Sequence, residues 1–364
     1  VSVVANGERR LLFSRRSVWS GRARLEIALC LGKLFNERLS GLSVFATFEA
    51  ISFVLCYGLG KQMKGAQAMN STGSSSRSCC PLCGSNVSEG KFWERKHQVR
   101  NCAECDLFYI WPYPSGDQLT ARVKEYTYEG LKVQNAQSFW RSQVWYYKTL
   151  FPKLQPYFAD ARKVLDVGCG TGNLLELIAK RYPSLELHGV ELNIARAEFA
   201  RKLTDAHIYN ISVLELPEDN TYDVITMINV FSHIPVRDLM DKVYRLIAQR
   251  GCLIIKTSEM KKNIVKSDMY DWGIPDHIQW LGMRTIDWIA HTWNFDIEWH
   301  ERVPIADVIF TGDRFAAPGR SRLRNLLKQF ALHVPFSLAF ARYLYKVWKG
   351  ERIYSSLIVL RPST

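Results

Sequence analysis

The sequence predicts an α/β protein, an open parallel sheet with helices on both faces, preceded by a small cysteine-rich module. Three observations carry this. Apolar runs at 163–167, 185–190, 222–228 and 252–257 are strand-like, and amphipathic stretches such as 174–180 and 236–248 separate them. That alternation gives right-handed βαβ units whose sheet is covered on both faces. The first run ends in a glycine-rich turn, Gly168-Cys169-Gly170-Thr171-Gly172, and five of nine cysteines crowd into positions 79–105. At 364 residues and 47% hydrophobic content, the chain has enough apolar mass for one large domain and smaller attachments.

The formal net charge is +13, but it is unevenly placed. Residues 1–78 hold 11 Lys and Arg against 4 Asp and Glu, and residues 306–364 hold 10 against 3. The intervening residues carry 27 basic and 28 acidic groups. The region expected to do chemistry is therefore balanced, which argues against a protein built to grip a polyanion.

Residues 1–78 read as an extension and linker. The run 41–60 resembles a membrane span but contains Glu49 and follows eight Arg and Lys residues. As an anchor, the positive-inside tendency would carry the rest of the chain out of the cytoplasm, where thiolate ligands and a cofactor-dependent enzyme would be stranded. The expectation is that 1–62 are not a functional part, with translation starting near Met63 or Met69, and that the protein is cytoplasmic. Deleting 1–68 should leave a soluble, active protein. Residues 65–78 are Gly/Ser-rich and polar, with nothing to bury.

The module spans 79–114. Cys80-Pro-Leu-Cys83 and Cys102-Ala-Glu-Cys105 give C-x2-C, eighteen residues, C-x2-C, the spacing of two knuckles around one tetrahedral Zn²⁺. Four thiolates fill the coordination shell, so the metal is structural. Gly84 follows the first pair where a left-handed backbone is often needed. Cys79 is adjacent to Cys80 and is an alternative ligand. A helical connector rich in aromatics follows at 115–161.

In Val164-Leu165-Asp166-Val167-Gly168-Cys169-Gly170-Thr171-Gly172 a buried strand enters a glycine loop and then a helix. Dinucleotide sites use G-x-G-x-x-G for a pyrophosphate, which Asp166 would repel. An acidic side chain here suits an ammonium instead. This string closely resembles motif I of class I methyltransferases, whose glycine loop cradles the methionine and ribose portions of S-adenosyl-L-methionine. In keeping with that resemblance, Glu191 ends the second strand 25 residues after Asp166, where a carboxylate accepts from both ribose hydroxyls. Counting back from Leu216-Pro217, the family's Gly-Asp pair becomes Ile211-Ser212, so a serine stands where an aspartate usually accepts from the adenine amino group. The resemblance covers 160–260 and implies a Rossmann-like seven-stranded sheet. It also implies a cofactor site made of Asp166, Gly168, Cys169, Gly170, Gly172, Glu191, Leu192, Ser212 and Asn229.

The layout of the two knuckles, Phe108-Tyr109-Ile110-Trp111-Pro112-Tyr113-Pro114-Ser115 and a connector with Tyr126 and Tyr128 resembles bacterial zinc-module methyltransferases. Their relatives act on sugars, polysaccharide precursors or metabolites. The implied activity is O- or C-methylation of a small or sugar-derived acceptor. Two other readings are a zinc-module ribosomal RNA base methyltransferase, which the neutral core disfavours, and a noncatalytic binding protein.

An acceptor that holds its proton tightly needs a base. His233, in the loop after the fourth strand, and His277, after the fifth, are the candidates, with His277 slightly favoured. Strands six and seven are expected at 293–300 and 354–360 as an antiparallel edge hairpin, completing a domain over 162–364. A basic helical insertion at about 305–352 interrupts the hairpin. There Phe336, Phe340, Tyr343, Leu344 and Val347 share one helical face near Arg342, Lys346 and Lys349. Packing on the domain and peripheral docking on a membrane both account for that pattern.

Overall fold

A computed structural model of the chain describes residues 79–114, 133–269, 272–309 and 337–363. The extension and linker with the 41–60 run, Tyr126, Tyr128 and Phe336 lie outside the described residues. All described residues belong to one compact unit, Lys64–Thr364. In chain order the elements are β1 (Ser88–Glu94), β2 (His97–Cys102), β3 (Phe108–Trp111), α1 (Val133–Leu154), β4 (Lys163–Val167), α2 (Asn173–Arg181) and β5 (Glu186–Val190). Next come α3 (Ile194–Leu203), β6 (His207–Tyr209), β7 (Tyr222–Ile228), α4 (Val236–Leu246), β8 (Ile247–Met260) and β9 (Gln279–Gly282). The chain continues through α5 (Thr285–Thr292), β10 (Phe295–Pro304), α6 (Ile305–Ile309), α7 (Ser337–Lys349) and β11 (Ile353–Pro362).

The strands run β6-β5-β4-β7-β8, all parallel, and continue through antiparallel β11 to β10. Alternating side chains build a core on each face. Leu165, Val167, Ile225, Met227, Leu253 and Ile255 face one side with Leu239, Met240, Val243 and Leu246 of α4. Val164, Val224, Cys252 and Ile254 face the other, against α1, α2 and α3. On α4 the buried residues fall at helical spacing, and each large apolar side chain removed from water contributes about 1.5–3 kcal/mol. Asn193 caps α3 by accepting from Arg196 N at 2.9 Å.

The cysteine module is not a separate bead. Its antiparallel ladder β1-β2-β3 pairs with β9, which continues parallel to the end of β8 at Glu259↔Leu281 and Met260↔Gly282. Gly282 packs so close to the second knuckle that a Cβ would come within 1.9 Å of the Asp106 carbonyl oxygen. A third core, including Val99, Phe108, Ile110, Trp272, Ile278 and Trp280, joins the module to the segment before β9. No helix among the described residues is long and apolar enough to cross a membrane.

Candidate active site and cysteine cluster

The glycine loop lies at the carboxyl end of β4, and its three glycines have positive φ of 68°, 58° and 78°. Each is small for a different reason. A Cβ on Gly168 would come 2.4 Å from Val230 Cγ2, and one on Gly172 would press on Ala200 of α3 at 3.2 Å. A Cβ on Gly170 would meet only Phe139 Cε1, at 3.7 Å. Gly170 thus lies beneath an α1 aromatic ring, and its positive φ rather than crowding is what favours glycine there.

Two buried carboxyl groups flank the glycine loop. Asp166 accepts from Thr226 Oγ1 at 2.6 Å through Oδ1, while its buried Oδ2 has no hydrogen-bond partner among the described residues. Burial pushes Asp166 up to about 7 despite the Thr226 bond, and the nearby Glu191 adds to the rise. Glu191 accepts from Asn193 N at 2.7 Å and Gly170 N at 3.0 Å, yet burial still raises it. A cationic ligand is the natural counterpart of such a pair.

Helix α1 supplies residues that the sequence reading did not single out. Phe139 also stacks under the Arg196 guanidinium at 4.1 Å, and Tyr146 accepts from Asn229 Nδ2 at 3.2 Å. Burial holds the Tyr147 hydroxyl well above its usual range, beside Asp166, Cys169 and Glu191. The aromatic density of the connector was the available signal. Asn229 sits exposed at the end of β7 with φ of 60°. Leu192 is half-buried, and its carbonyl accepts from Asn210 Nδ2 at 3.0 Å. Ser212 caps a 3₁₀ turn at Val213–Glu215, its oxygen accepting from Leu214 N at 3.3 Å.

His233 and His277, 44 residues apart, are brought together, with ring centroids 4.5 Å apart and edge-to-face. His233 Nδ1 lies 3.1 Å from the Asp276 carbonyl oxygen. A carbonyl only accepts, so Nδ1 carries the proton and Nε2 holds the lone pair. Burial holds His233 below the usual histidine range. The segment is stitched to the strand-β7 loop, Ile278 N donating to Ser232 O at 2.8 Å. Buried Gln279 donates to the carbonyls of Phe231 and Ile234, both at 2.8 Å, and accepts from the Tyr113 hydroxyl of the cysteine module.

In that module the sulfurs of Cys80, Cys83, Cys102 and Cys105 all lie within 4.8 Å of one another. Cys80–Cys105 and Cys83–Cys102 are each 3.5 Å apart. A disulfide needs about 2.05 Å, whereas four thiolates about 2.3 Å from one Zn²⁺ stand about 3.8 Å apart. The quartet therefore fits a tetrahedral cation. Its thiols are interdependent: the bond with Cys102 and burial push Cys80 up to about 12, while bonds with Cys105 and Cys80 hold Cys102 down. A divalent ion would let four enclosed thiolates coexist. Cys79 points away and donates to Asn86 Oδ1 at 2.9 Å. Gly84 has φ of 75°. The knuckle carbonyls are sealed to the large domain: Arg237 donates to Leu82 O, Arg284 to Ala103 O and Thr285 to Cys105 O, at 2.9, 2.7 and 3.0 Å.

Residues 139–299 match the family model described as a methyltransferase domain. A stretch of 105 residues is 28% identical to the malonyl-[acyl-carrier protein] O-methyltransferase of Priestia megaterium, covering 28% of this chain and 38% of that protein. Another, of 104 residues, is 33% identical to the mitochondrial ubiquinone biosynthesis O-methyltransferase of Candida albicans, covering 26% and 32%. The chain thus spans well under half the length of these relatives. Among solved structures, the geranyl diphosphate C-methyltransferase of Streptomyces coelicolor A3(2) aligns with a TM-score of 0.45 at 14% identity, over 59% of this chain and 78% of that one. Residues 139–299, which include the glycine loop, are thus similar to a methyltransferase domain.

Proposed function

We propose that the protein transfers a methyl group to a hydroxyl or an enolisable carbon of a small or sugar-derived acceptor, and that its four-cysteine cluster holds a structural zinc ion. The observation that carries the first part is the pair of buried carboxyl groups at the glycine loop. S-adenosylmethionine supplies, when bound, a methyl carbon made electrophilic by a sulfonium. Asp166 is assigned the ammonium of its methionine portion, Glu191 the ribose hydroxyls, and Gly168, Cys169, Gly170 and Gly172 the backbone floor. Leu192, Ser212 and Asn229 complete the lining on the adenine and methionine sides. The named relatives are a malonyl-[acyl-carrier protein] O-methyltransferase and a ubiquinone biosynthesis O-methyltransferase, which supports transfer to oxygen.

His277 is assigned the base, with His233 as its partner and alternative. Histidine suits the task because its neutral form predominates near pH 7 and can take a proton as the methyl group arrives. Cys80, Cys83, Cys102 and Cys105 would hold the zinc, which supplies cross-linking to a segment with little core of its own.

Calorimetric titration with S-adenosylmethionine tests the first assignment. Binding to the wild type should be saturable, and Glu191→Ala should weaken it by roughly 1–3 kcal/mol for a lost charge-assisted pair. Unchanged affinity in a folded Glu191→Ala protein would move the ribose site elsewhere. No binding by the wild type would reject the enzymatic reading.

A further inference from the structure

Helix α7 is inside out. Its exposed positions are Ala339, Phe340, Tyr343, Leu344, Val347 and Trp348, all of them apolar or aromatic. Its charged residues, Arg342, Lys346 and Lys349, stand at the half-buried positions. Lys346 pairs with Asp307 of α6 at 2.8 Å and with Glu351 at 3.0 Å, and Arg342 lies 3.6 Å from Asp307. The half-buried side of the helix carries these three charges together with Leu338, Ala341 and Tyr345, while its exposed side carries no charge. Val347 and Trp348 are 59% and 65% exposed. A surface helix normally turns such a stripe inward, and a contiguous apolar patch turned outward marks a surface that another apolar medium covers.

The surrounding sequence identifies that medium by charge. Residues 314–350 contain no Asp or Glu, but they contain Arg314, Arg320, Arg322, Arg324, Lys328, Arg342, Lys346 and Lys349. Basic residues interleaved with Leu, Phe, Tyr and Trp fit an anionic headgroup layer above an acyl layer, with Tyr and Trp at the boundary. We propose that α7 docks this protein on an anionic membrane surface, lying in the plane of the interface with Phe340, Tyr343, Leu344, Val347 and Trp348 toward the lipid. At 13 residues the helix is about 20 Å long, enough to lie along the surface and too short to span it. Its C-terminal end is tied down where Lys349 Nζ donates to the Ser267 carbonyl.

Co-sedimentation of the full chain with vesicles tests this, using either phosphatidylcholine alone or equal parts phosphatidylcholine and phosphatidylglycerol. The wild type should partition onto the anionic vesicles in a salt-sensitive manner. Replacing Val347 and Trp348 together by Glu should weaken partitioning at least ~tenfold, as loss of buried apolar area and added like charge require. The emission lost in Trp348→Phe should be the part that shifts to the blue on vesicle addition. S-adenosylmethionine binding, which does not involve α7, reports that the variants are folded and stands or falls separately. Vesicle binding left intact in the double variant would overturn the proposal, as would an absence of wild-type binding. So would a vesicle-free dimer that the double variant converts to monomer, because a second copy would then cover the face.

Discussion

The proposed cofactor half and the proposed acceptor half of the site are held in different ways. Asp166, the glycine loop, Glu191 and Asn229 all sit at carboxyl ends of adjacent parallel strands, each placed by its own strand and the turn that follows. The acceptor half is assembled from pieces remote in sequence. His277 meets His233 across 44 residues, Tyr113 reaches Gln279 across 166, and Arg284 fastens a knuckle carbonyl 181 residues away. One half is a consequence of local chain geometry and the other of long-range stitching. Damage to the stitching should therefore spare cofactor affinity, and damage to the strand ends should not.

The largest effect that tests this contrast is removal of the proposed metal ligands. Changing Cys83 and Cys105 to Ser should abolish the single zinc expected per chain by elemental analysis. The variant should also lose thermal stability steeply, since structural zinc sites contribute folding energy on the order of 10 kcal/mol. If S-adenosylmethionine affinity vanishes with mild destabilisation alone, the two halves are not separable. Full zinc retention would contradict the ligand assignment.

Next in size is the base. His277→Gln keeps hydrogen bonding and removes basicity, so turnover should fall by roughly 10²–10⁴ with cofactor affinity constant. The wild-type rate should rise with pH through the histidine titration. Should His277→Gln keep both rate and pH dependence while His233→Gln loses them, the role passes to His233.

The smallest effect belongs to Asp166. In the folded protein it is raised to about 7 from the ordinary 3.8. Without ligand the fold therefore prefers the neutral acid, and the stability this gives is lost as pH rises toward 7. A bound cation reverses the preference and expels the proton. Cofactor affinity should accordingly increase up to about tenfold per pH unit below 7 and level off above it, with proton release measurable by calorimetry in buffers of different ionisation enthalpy. An Asp166→Asn protein with the same slope would remove Asp166 from the cofactor's cation.

How much was legible in the sequence follows the same division. The strands at 163–167 and 222–228 were readable to the residue, because a buried apolar run ends there in a glycine turn or an asparagine. The cysteine spacing pointed to the quartet that the fold gathers, and the geometry sets Cys79 aside. Strand β9 was not legible: its pairing with β3 rests on two residue pairs, Phe108↔Trp280 and Tyr109↔Gln279, which no local period announces. Strand β8 runs from Ile247 to Met260, longer than its apolar core at 252–257, because β11 and β9 pair with its far end and Tyr222 of β7 pairs with Ile247 at its near end. The roof of Phe139, Tyr146 and Tyr147 looked like a generic aromatic connector. For α7 the amphipathic stripe was visible, but only the ion pairs to Asp307 reveal which side faces outward.

The docking of the knuckles onto Arg284 and Thr285 has a consequence for synthesis. Ala103 and Cys105 leave the ribosome about 180 residues before the side chains that clasp their carbonyls. At roughly 5–20 residues per second that interval is about 10–40 s. Through it the module's Leu82, Leu107, Phe108 and Tyr109, fully buried in the finished protein, have no domain to rest on. A metal taken up early would close the two loops on themselves during the wait, so the supply of zinc would govern the yield of folded chains more than the activity of those already made.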